Sequence, residues 1–493
     1  MKKRRMIIIG GGLGGLALAL RSVVNGWQVT VCERSPRLGG RMNLFEKGGF
    51  RFDTGPSLIT LPHIFEDLFA AAGEKLSDHV AFQQLSPLAQ YRFADGTQFH
   101  YPAPLPEWMK TIKQLEPRDV DGFWRFMNLG SKIYELSRQT FFSRSPYEPP
   151  SLNELKALRH FPVRYGWGNY AKTVAAHFHS PYLRQMYNRY PTYVGSSPYK
   201  TPATLAVIPY IEFSYGGWYV KGGLYSIVTA IEKLLHQRGV ELRTRTTVTQ
   251  ILHQQKKATG VLLENGETLN ADIVVMNGDV ATMQHLLLSG SNDDIVQKKN
   301  EETSLSAVVF LVGLKKKIPS LYHHSLFFSL DYTKEFHQLF SEQKFPDDPT
   351  LYVNVSSKTD STAAPKGCDS IFILANAPAS KSHQWNETEI QRVWNVVKKK
   401  LEQNGIAINE ADIAVREIWT PDRFAEVYGV PGGSIYGLAS HSWKTTFFRP
   451  SNHDRNIKGM YYVGGSTHPG GGTPMVLLSA SITSSLIERY EYP

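Results

Sequence analysis

Apolar and polar residues alternate in a regular way over the first forty positions of the chain. Short apolar runs at Met6–Ile9 and Gln28–Glu33 predict two strands, and the run Leu13–Asn25 between them predicts an amphipathic helix. A strand, a helix and a second strand within about 30 residues form a βαβ unit. The chain is therefore predicted to begin with two parallel strands joined by a helix.

The same patterns recur in the middle and at the end of the chain. The predicted helix Tyr225–Arg238 ends at Gly239, and a hairpin is predicted around the turn Asn265-Gly266. Further strands are predicted at Val240–Arg243, Thr247–His253, Asp272–Asn277, Ala307–Gly313, Leu351–Ser356, Ile371–Ala375 and Met460–Gly465. Further helices are predicted near 118–139 and 168–190, at Glu387–Asn404 and at Pro474–Arg489. This recurrence predicts that a second domain is inserted in pieces.

Composition places the chain among folded globular proteins. Of its 493 residues, 42% are hydrophobic and 20% are charged, which is far from the disordered class. The two cysteines, Cys32 and Cys368, cannot build a disulfide framework or a four-thiolate metal site, so a cytoplasmic protein is expected. Glycines interrupt the apolar start and argue against a signal peptide. No run reaches the roughly 18 apolar residues that a spanning helix needs.

The charge balance narrows the class of ligand. Lys and Arg number 54 against 44 Asp and Glu, a net charge of +10, which suits nucleic acid, an anionic membrane surface or a polyanionic cofactor. The chain has no zinc-finger spacing, heptad pattern or RNA-binding signature, so no nucleic-acid partner is predicted. The histidines, including His323-His324, show no ligand spacing, so no metal is predicted.

A dinucleotide-binding motif follows the first predicted strand. Gly10, Gly12 and Gly15 fit the pattern G-x-G-x-x-G, which needs a tight turn, close approach of a pyrophosphate and close helix–strand packing. The helix N-terminus offers free N–H groups to phosphates. Glu33, at the end of the second strand, is placed to accept hydrogen bonds from an adenosine ribose. A structural turn with a surface glutamate is the alternative interpretation.

The residues after Glu33 favour FAD over a nicotinamide cofactor. Arg34 is followed by Leu38-Gly39-Gly40-Arg41, so a second glycine pair and an arginine lie just behind the ribose acid. These residues extend the predicted cofactor-binding surface from Glu33 toward the pyrophosphate. Such an extension suits a cofactor that is held permanently along its whole length.

Three segments carry a resemblance to a known family. They are Gly10–Arg41, Arg51–Ser57 and the C-terminal Gly464–Met475, which reads GGSTHPGGGTPM. Together they resemble the carotenoid desaturase family, also called the phytoene desaturase family, whose members are FAD-dependent enzymes with an amine-oxidase-like fold. The likeness covers essentially the whole chain, and the C-terminal segment is more specific than the first.

Internal segments are most similar to the hydroxycarotenoid 3,4-desaturase branch of that family. They are Tyr193–Tyr199, Trp218–Gly223 and Asp348–Asn354. Related segments occur in the branch that oxidises terminal methyl groups of C30 carotenoids, which often has asparagine where this chain has His468. The resemblance implies a desaturase that introduces C=C bonds into a C30 or C40 carotenoid. A terminal-methyl oxidase, an amine oxidase and a non-catalytic polyene carrier are the alternatives.

The resemblance also implies a non-covalently bound FAD. Gly465 and Ser466 would lie along its pyrophosphate and ribityl chain, and Pro474 and Met475 would begin a helix whose dipole stabilises reduced flavin. Val248 matches a position whose backbone meets adenine, with an ordinary core position as the alternative. The implied FAD contacts are Gly10, Gly12, Gly14, Gly15, Glu33, Arg34, Gly39, Gly40, Arg41, Val248, Gly465, Ser466, Pro474 and Met475.

The predicted fold class is α/β with mixed α+β parts. It comprises a Rossmann-like FAD-binding domain of the amine-oxidase or glutathione-reductase-2 type, an interleaved substrate domain and a helical membrane-associating part. The FAD-binding domain is expected from residues 1–100, 215–290 and 416–493. The helical part is expected from 101–214, and a substrate-binding sheet from 291–415.

Desaturation of a hydrocarbon needs no strong protein nucleophile, because the flavin N5 accepts the hydride and the hard chemistry belongs to the cofactor. Asp53 and His468 are the candidate catalytic residues in the resembling segments. For Asp53 the alternative is a carboxylate that caps a turn, and for His468 it is a hydrogen-bonding strut. The catalytic base is left open.

The segment Arg138–Lys172 is both basic and aromatic. Such a segment suits peripheral attachment to an anionic membrane, where a lipophilic polyene substrate would be found. A solvated helical face is the alternative, and the oligomeric state is left open. The residues that carry this pattern are Phe141, Phe142, Tyr147, Phe161, Tyr165, Trp167 and Tyr170, with Arg138, Arg144, Lys156, Arg159, Arg164 and Lys172.

Overall fold

A computed structural model of the chain describes residues 4–101, 104–152, 155–156, 168–280, 283, 287, 303–379 and 383–492. Its strands are β1 Arg5–Ile9, β2 Gln28–Cys32, β3 Leu44–Lys47, β4 Phe50–Asp53, β5 Phe82–Gln84, β6 Ala89–Arg92, β7 Gln98–Tyr101, β8 Trp218–Val220, β9 Glu241–Arg243, β10 Val248–Gln254, β11 Lys257–Leu263, β12 Thr268–Asn270, β13 Ile273–Met276, β14 Ser306–Leu314, β15 His324–Phe327, β16 Leu351–Asn354, β17 Asp369–Ala377, β18 Ile413–Trp419 and β19 Met460–Tyr462.

Helices occur between these strands. They are α1 Leu13–Val24, α2 Pro62–Ala71, α3 Leu105–Leu115, α4 Asp119–Gln139, α5 Tyr170–His177, α6 Pro181–Asn188, α7 Val207–Tyr215, α8 Tyr225–Gln237, α9 Tyr332–Phe340, α10 Glu387–Gln403, α11 Pro421–Tyr428, α12 Trp443–Phe447 and α13 Thr473–Glu491. Short 3₁₀ helices lie at Leu76–Asp78, Tyr190–Val194, Ala203–Ala206, Ser356–Lys358, Ser361–Ala363, Glu410–Asp412 and Pro431–Gly433.

The first large sheet, here called the nucleotide sheet, has five parallel strands in the order β19–β13–β1–β2–β9. Met6 and Ile8 of β1 face helices α1, α8 and α13, whereas Ile7 and Ile9 face the three-stranded sheet β10–β12. Successive side chains of a strand point to opposite faces, and both faces of this sheet are covered. The near-continuous apolar runs of its strands follow from that double burial.

The second large sheet, here called the mixed sheet, has seven strands in the order β18–β14–β17–β16–β15–β6–β7. Its neighbouring strands are antiparallel except β6 and β15, which are parallel. One face packs against α10, where the rings of Phe310 and Trp394 lie 4.8 Å apart. The opposite face meets the β3–β4 hairpin through Val309, Leu311 and Phe50. The mixed sheet therefore lies against the motif-bearing N-terminal part of the chain.

Helices α4 to α7 pack with α3 and β7 around an aromatic core. Gly122 of α4 allows a close helix contact, because a Cβ there would lie 1.8 Å from the carbonyl oxygen of His177. The predicted helical stretch 168–190 is two helices, α5 and α6. The break occurs because the Ser180 side chain accepts a hydrogen bond from the Leu183 N–H and Pro181 opens the second helix.

The prediction of a βαβ start, a returning helix at α8 and a final strand and helix is confirmed. The domain boundaries stay predictions, with two differences in strand placement. Strands β6 and β7, from the predicted segment 1–100, belong to the mixed sheet, and the boundary at 415 falls inside β18. Within the described ranges, no helix is both long enough and apolar enough to cross a membrane.

Candidate functional site

Two glycine turns meet at the carboxyl end of β1. Gly10 has φ +100°, and its N–H donates to the Cys32 carbonyl at 2.8 Å. The Gly39 N–H donates to the Gly11 carbonyl at 2.7 Å, which joins the second glycine pair to the first turn. A Cβ on Gly40 would lie 3.0 Å from Gly12 Cα. The two turns therefore meet through backbone atoms alone, with no side chain between them.

Asn277, directly after β13, ties these turns together. Its Nδ2 donates to the carbonyl oxygens of Gly10 at 2.9 Å and Gly12 at 3.3 Å. A Cβ on Gly14 or on Gly464 would lie 2.9 or 2.7 Å from Asn277 Oδ1. Asn277 is not among the residues predicted from sequence to form the site. Its position directly after the buried apolar strand β13 could have indicated a role, because polar residues at strand ends often lie at binding sites.

Glu33 is a buried carboxylate beside the first turn, with 7% of its surface exposed. Its Oε2 accepts the Gly11 N–H at 2.7 Å, and its Oε1 accepts the Ser35 N–H at 2.8 Å. The alternative of a surface glutamate is therefore wrong. Each carboxylate oxygen keeps a further acceptor site, because one oxygen can accept two hydrogen bonds.

Val248 lies in the core, two residues after a backbone contact with Glu33. It packs in the cluster that includes Ile9 and Cys32 and pairs with Leu263 on the neighbouring strand. Two residues earlier, the Thr246 N–H donates to the Glu33 carbonyl at 2.8 Å. The Val248 side chain is therefore part of the core, and the backbone just before it lies beside Glu33.

Arg34 and Arg41 connect the N-terminal motif to residues 427–435, a segment with no role predicted from sequence. Arg34 Nη2 donates to the Val427 carbonyl at 2.9 Å. Arg41 Nη1 donates to the Ile435 carbonyl, and its guanidinium lies 5.9 Å from the ring centre of Tyr428. Burial lowers the pKa of Arg41.

The C-terminal turn closes the same site from the other side. Ser466 Oγ donates to the Gly278 carbonyl at 2.8 Å and accepts the Val280 N–H at 3.0 Å. Helix α13 begins after Gly472, with Pro474 buried and Met475 partly exposed, and no side chain caps it. Helix α1 likewise begins after Gly12 without a side-chain cap. Both helix starts therefore direct free N–H groups and a positive dipole end at the glycine turns.

This arrangement fits a dinucleotide. Gly15 lets helix α1 pack closely on the first turn, because a Cβ there would lie 2.4 Å from the Gly10 carbonyl oxygen, and Gly12 leaves the backbone bare toward a pyrophosphate. Two uncapped helix starts suit the phosphate charge, and Glu33 supplies the buried acid that a ribose diol needs. The fold brings the predicted glycine turns, Glu33 and the start of α13 together. The Arg34 and Arg41 side chains instead bond the backbone of residues 427–435.

Asp53 caps a helix. Its Oδ1 accepts the N–H groups of Leu224 at 2.9 Å and Tyr225 at 3.4 Å, at the start of α8. Burial raises the pKa of Asp53 to about 6, and these hydrogen bonds act in the opposite direction. Its oxygen is therefore engaged in holding a helix start from a distant strand.

His468 is fully buried and bridges two segments. Its Nε2 lies 2.7 Å from the Phe141 carbonyl and 3.0 Å from the Arg144 carbonyl, so this nitrogen carries the proton. Burial lowers the pKa of His468 to about 4, so the ring is neutral near pH 7. These contacts are those of a strut between the C-terminal turn and residues 141–144.

Within the part of the chain that the structure describes, no group of three or more His, Cys, Asp or Glu side chains could hold a metal ion. His323 and His324 lie side by side but are surrounded by Tyr219, Tyr352 and Asn354 rather than by further metal ligands.

Comparison with known proteins identifies the fold and the family. An oxidoreductase from Methanosarcina mazei superposes with a TM-score of 0.65 at 15% identity, over 98% of this chain and all of that one. Residues 13–487 match the family described as flavin containing amine oxidoreductase. The chain belongs to this family and is an FAD-dependent oxidoreductase.

Two relatives are similar over their whole length. One is a 1-hydroxycarotenoid 3,4-desaturase from a Flavobacterium species, 36% identical over 98% of this chain and 99% of the relative. The other is a 4,4'-diapolycopene oxygenase from a Methylomonas species, 34% identical over 98% of each. The predicted mixed α/β fold of the amine-oxidase type, the FAD cofactor and the resemblance to carotenoid desaturases are confirmed, whereas membrane association stays a prediction.

Proposed function

We propose that the protein is a carotenoid desaturase that removes two hydrogens from a C30 or C40 polyene. The observation that carries this proposal is the 36% identity, over 98% of the chain, with a relative named as a desaturase of hydroxycarotenoids. The buried glycine cradle supports it, because desaturation requires a tightly held redox cofactor and no protein nucleophile. A terminal-methyl oxidase is the second candidate, supported by the 34% identical oxygenase.

The cofactor would lie across the three turns. Glu33 would accept the ribose hydroxyls, the N-terminus of α1 would face the pyrophosphate, and Pro474 and Met475 at the start of α13 would lie at the flavin ring. Bound FAD supplies a two-electron acceptor for hydride. The chain's own residues would bind and orient it. The contacts of Asp53 and His468 support positioning roles for both side chains.

Pigment analysis tests this function. The protein would be produced in cells that make C30 or C40 carotenoid precursors, and the extracted pigments would be measured by absorption and mass. The expected result is absorption at longer wavelength, with a loss of hydrogen and no added oxygen. Added oxygen would show the oxidase instead, and unchanged pigment would show a carrier.

We further propose that the protein docks on anionic membranes to collect its substrate. The described part of the Arg138–Lys172 segment supports this, because Leu152 is 78% exposed and Leu155 46% exposed, beside the exposed Lys156. Trp124 on α4 is 46% exposed as well. Arg144 is engaged with the Pro149 carbonyl at 2.5 Å, and Arg138 with Glu135 at 2.8 Å. Phe161, Tyr165, Trp167, Arg159 and Arg164 lie outside the described residues.

Liposome co-sedimentation tests the docking proposal. Replacing Leu152, Leu155 and Lys156 together by Glu removes both the apolar contact and the basic charge. Binding to anionic liposomes should fall strongly at low salt, because each basic residue contributes about 1 kcal/mol near an anionic surface. Leu330→Glu is the control, since Leu330 is 80% exposed outside this segment. Equal binding by the wild type, the triple variant and Leu330→Glu would show that the segment is a solvated face with no part in docking.

A further inference from the structure

Arg449 is a buried cation beside the C-terminal glycine turn. Only 6% of its surface is exposed. Its Nη2 donates to Ser440 Oγ at 3.1 Å and to the Leu438 carbonyl at 3.4 Å, and both acceptors are neutral. Its Nε lies 3.1 Å from the position that a Cβ on Gly470 would take. The guanidinium therefore lies against the turn that leads into α13.

Hydrogen bonds to the turn fix the backbone next to Arg449. The His468 N–H donates to the Pro450 carbonyl at 3.0 Å. In the opposite direction, Asn452 Nδ2 donates to the His468 carbonyl at 3.0 Å. Residues 449–452 are therefore tied to the turn at two points, which holds the side chain of Arg449 in place beside it.

Positive charge exceeds negative charge at this place. Burial lowers the pKa of Arg449 to about 10, so its guanidinium still carries its charge at pH 7. Asp279 is the carboxylate whose charge acts on Arg449, and it acts on the buried Arg41 as well. Two guanidinium groups therefore share one carboxylate. Because a buried charge without a matching countercharge is costly, an anionic group of a ligand would be stabilised here.

The start of α13 adds a second source of positive potential at the same turn. Gly470 lies two residues before Gly472, the residue that precedes the helix. No side chain caps this helix start, so its free N–H groups and its dipole reinforce the charge of Arg449. In the proposed placement of FAD, Pro474 and Met475 meet the flavin ring, whereas the N-terminus of α1 faces the pyrophosphate. The guanidinium therefore belongs to the flavin end of the proposed site.

We propose that Arg449 stabilises the negative charge of the reduced flavin, so that the protein binds reduced FAD more tightly, relative to oxidised FAD, than it would without this cation. This inference rests on the proposed function, since it takes the start of α13 as the flavin end of the site. A hydride that adds to flavin N5 brings two electrons and one proton, so the neutral ring gains one negative charge, located at N1 and O2. A fixed cation beside the ring therefore acts mainly on the reduced state.

The midpoint potential of bound FAD tests this inference. Arg449→Gln removes the charge but keeps an amide N–H donor for Ser440, and Arg449→Lys keeps the charge. The FAD-loaded proteins would be reduced anaerobically in the presence of a reference dye. Arg449→Gln should weaken the binding of reduced FAD about tenfold relative to oxidised FAD, which lowers the two-electron midpoint potential by about 30 mV. Arg449→Lys should stay within about twofold of the wild-type ratio.

The proton on flavin N1 gives a second readout. A cation beside the reduced ring favours its anionic form, so N1 should bind its proton about tenfold more weakly in the wild type and Arg449→Lys than in Arg449→Gln. The absorption spectrum of the photoreduced protein across a pH series measures this proton affinity. If Arg449→Gln does not fold, the wild type is compared with free reduced FAD. A lower proton affinity in the protein supports the inference, and an equal one overturns it.

Arg92→Gln is the matched control for the loss of a buried arginine. Arg92 is partly buried on β6 of the mixed sheet and donates to the carbonyl oxygens of Asn404 at 3.0 Å and Ser320 at 2.7 Å. Burial lowers its pKa, as it does for Arg449. Arg92→Gln should lower the stability of the protein and leave the flavin potential and the N1 proton affinity unchanged.

An unchanged potential in Arg449→Gln would overturn the inference, as would an equal fall of the potential in Arg92→Gln. Weaker binding of oxidised FAD without a change of potential would also overturn it, because the charge would then serve both redox states alike. None of these measurements uses a carotenoid. If the pigment assay shows no desaturation while the potential shift holds, the proposed function fails and the role of Arg449 stands.

Discussion

The two large sheets of the protein bury their faces differently. Both faces of the nucleotide sheet are closed by apolar contacts, as shown by Ile8 on one face and Ile7 on the other. The mixed sheet has one closed face, around Phe310, and one face that carries Tyr352 and the partly buried Leu374. A sheet closed on both faces specifies the fold and holds the cofactor turns at its edge. The second face of the mixed sheet is packed in part by the β3–β4 hairpin, and Tyr352 and Leu374 on it stay partly exposed.

The largest effect is expected at the acid beside the nucleotide sheet. Glu33→Arg should abolish FAD retention, because loss of a charged hydrogen-bond partner costs on the order of 2–3 kcal/mol, and the variant adds charge reversal and the loss of the bonds from Gly11 and Ser35. The measurement is an equilibrium titration of apoprotein with FAD. Glu46→Arg, at an exposed position of β3, should bind as the wild type does. Unchanged affinity of Glu33→Arg would mean that the acid is misassigned.

A pair of glycines isolates the contribution of the cradle. Gly10 and Gly26 both have positive φ, +100° and +86°, so alanine strains the backbone at either position. Only at Gly10 would the added Cβ collide, 2.4 Å from the Asn277 carbonyl oxygen. Gly10→Ala should therefore lose FAD and melt lower, while Gly26→Ala should lose about 1 kcal/mol of stability and keep FAD. Equal FAD content in both variants would contradict the claim that the turn at Gly10 forms part of the FAD site.

The two faces of the mixed sheet should differ in the cost of truncation. Phe310→Ala should lower the free energy of unfolding by about 3–5 kcal/mol, because it empties a fully buried site against Trp394. Leu374→Ala should cost only about 1–2 kcal/mol, since its side chain is already partly exposed and loses less burial. Urea unfolding of the FAD-loaded variants measures both. Equal costs would show that the second face is as closed as the first.

A smaller, pH-dependent effect is expected at His468. Its pKa falls from 6.5 unfolded to about 4 folded, so the folded state binds fewer protons between these values and stability is lost as pH falls through this window. The contribution is on the order of 3 kcal/mol at most. Asp53 acts oppositely, because a pKa raised to about 6 adds stability that is lost as pH rises from 3.8 through 6.

The comparison of wild type with His468→Gln isolates the histidine, since Asp53 is common to both. The free energy of unfolding of the wild type minus that of the variant should rise from pH 4 to pH 7, while the variant keeps a neutral N–H donor for Phe141. Parallel curves would show that His468 does not titrate in this window.

Sequence reasoning succeeded where the pattern is local. The turn Gly10–Gly15, its flanking strand and helix, and Glu33 are close in sequence, so their geometry follows from short-range rules. Asn277 could not be assigned, because its role depends on two turns more than 180 residues away that only folding brings to it. The hydrogen bond between Ser57 and Tyr352 likewise joins residues 295 positions apart. The break between α5 and α6 was missed although Ser180-Pro181 signalled it.

Anaerobic mixing of the FAD-loaded protein with a hydroxylated carotenoid that still carries a saturated carbon pair tests the central claim most directly. We expect bleaching of the oxidised flavin absorption together with a product lighter by two hydrogens, formed without any added oxygen. A flavin that stays oxidised, or a product that appears only with oxygen and contains it, would contradict desaturation by this protein.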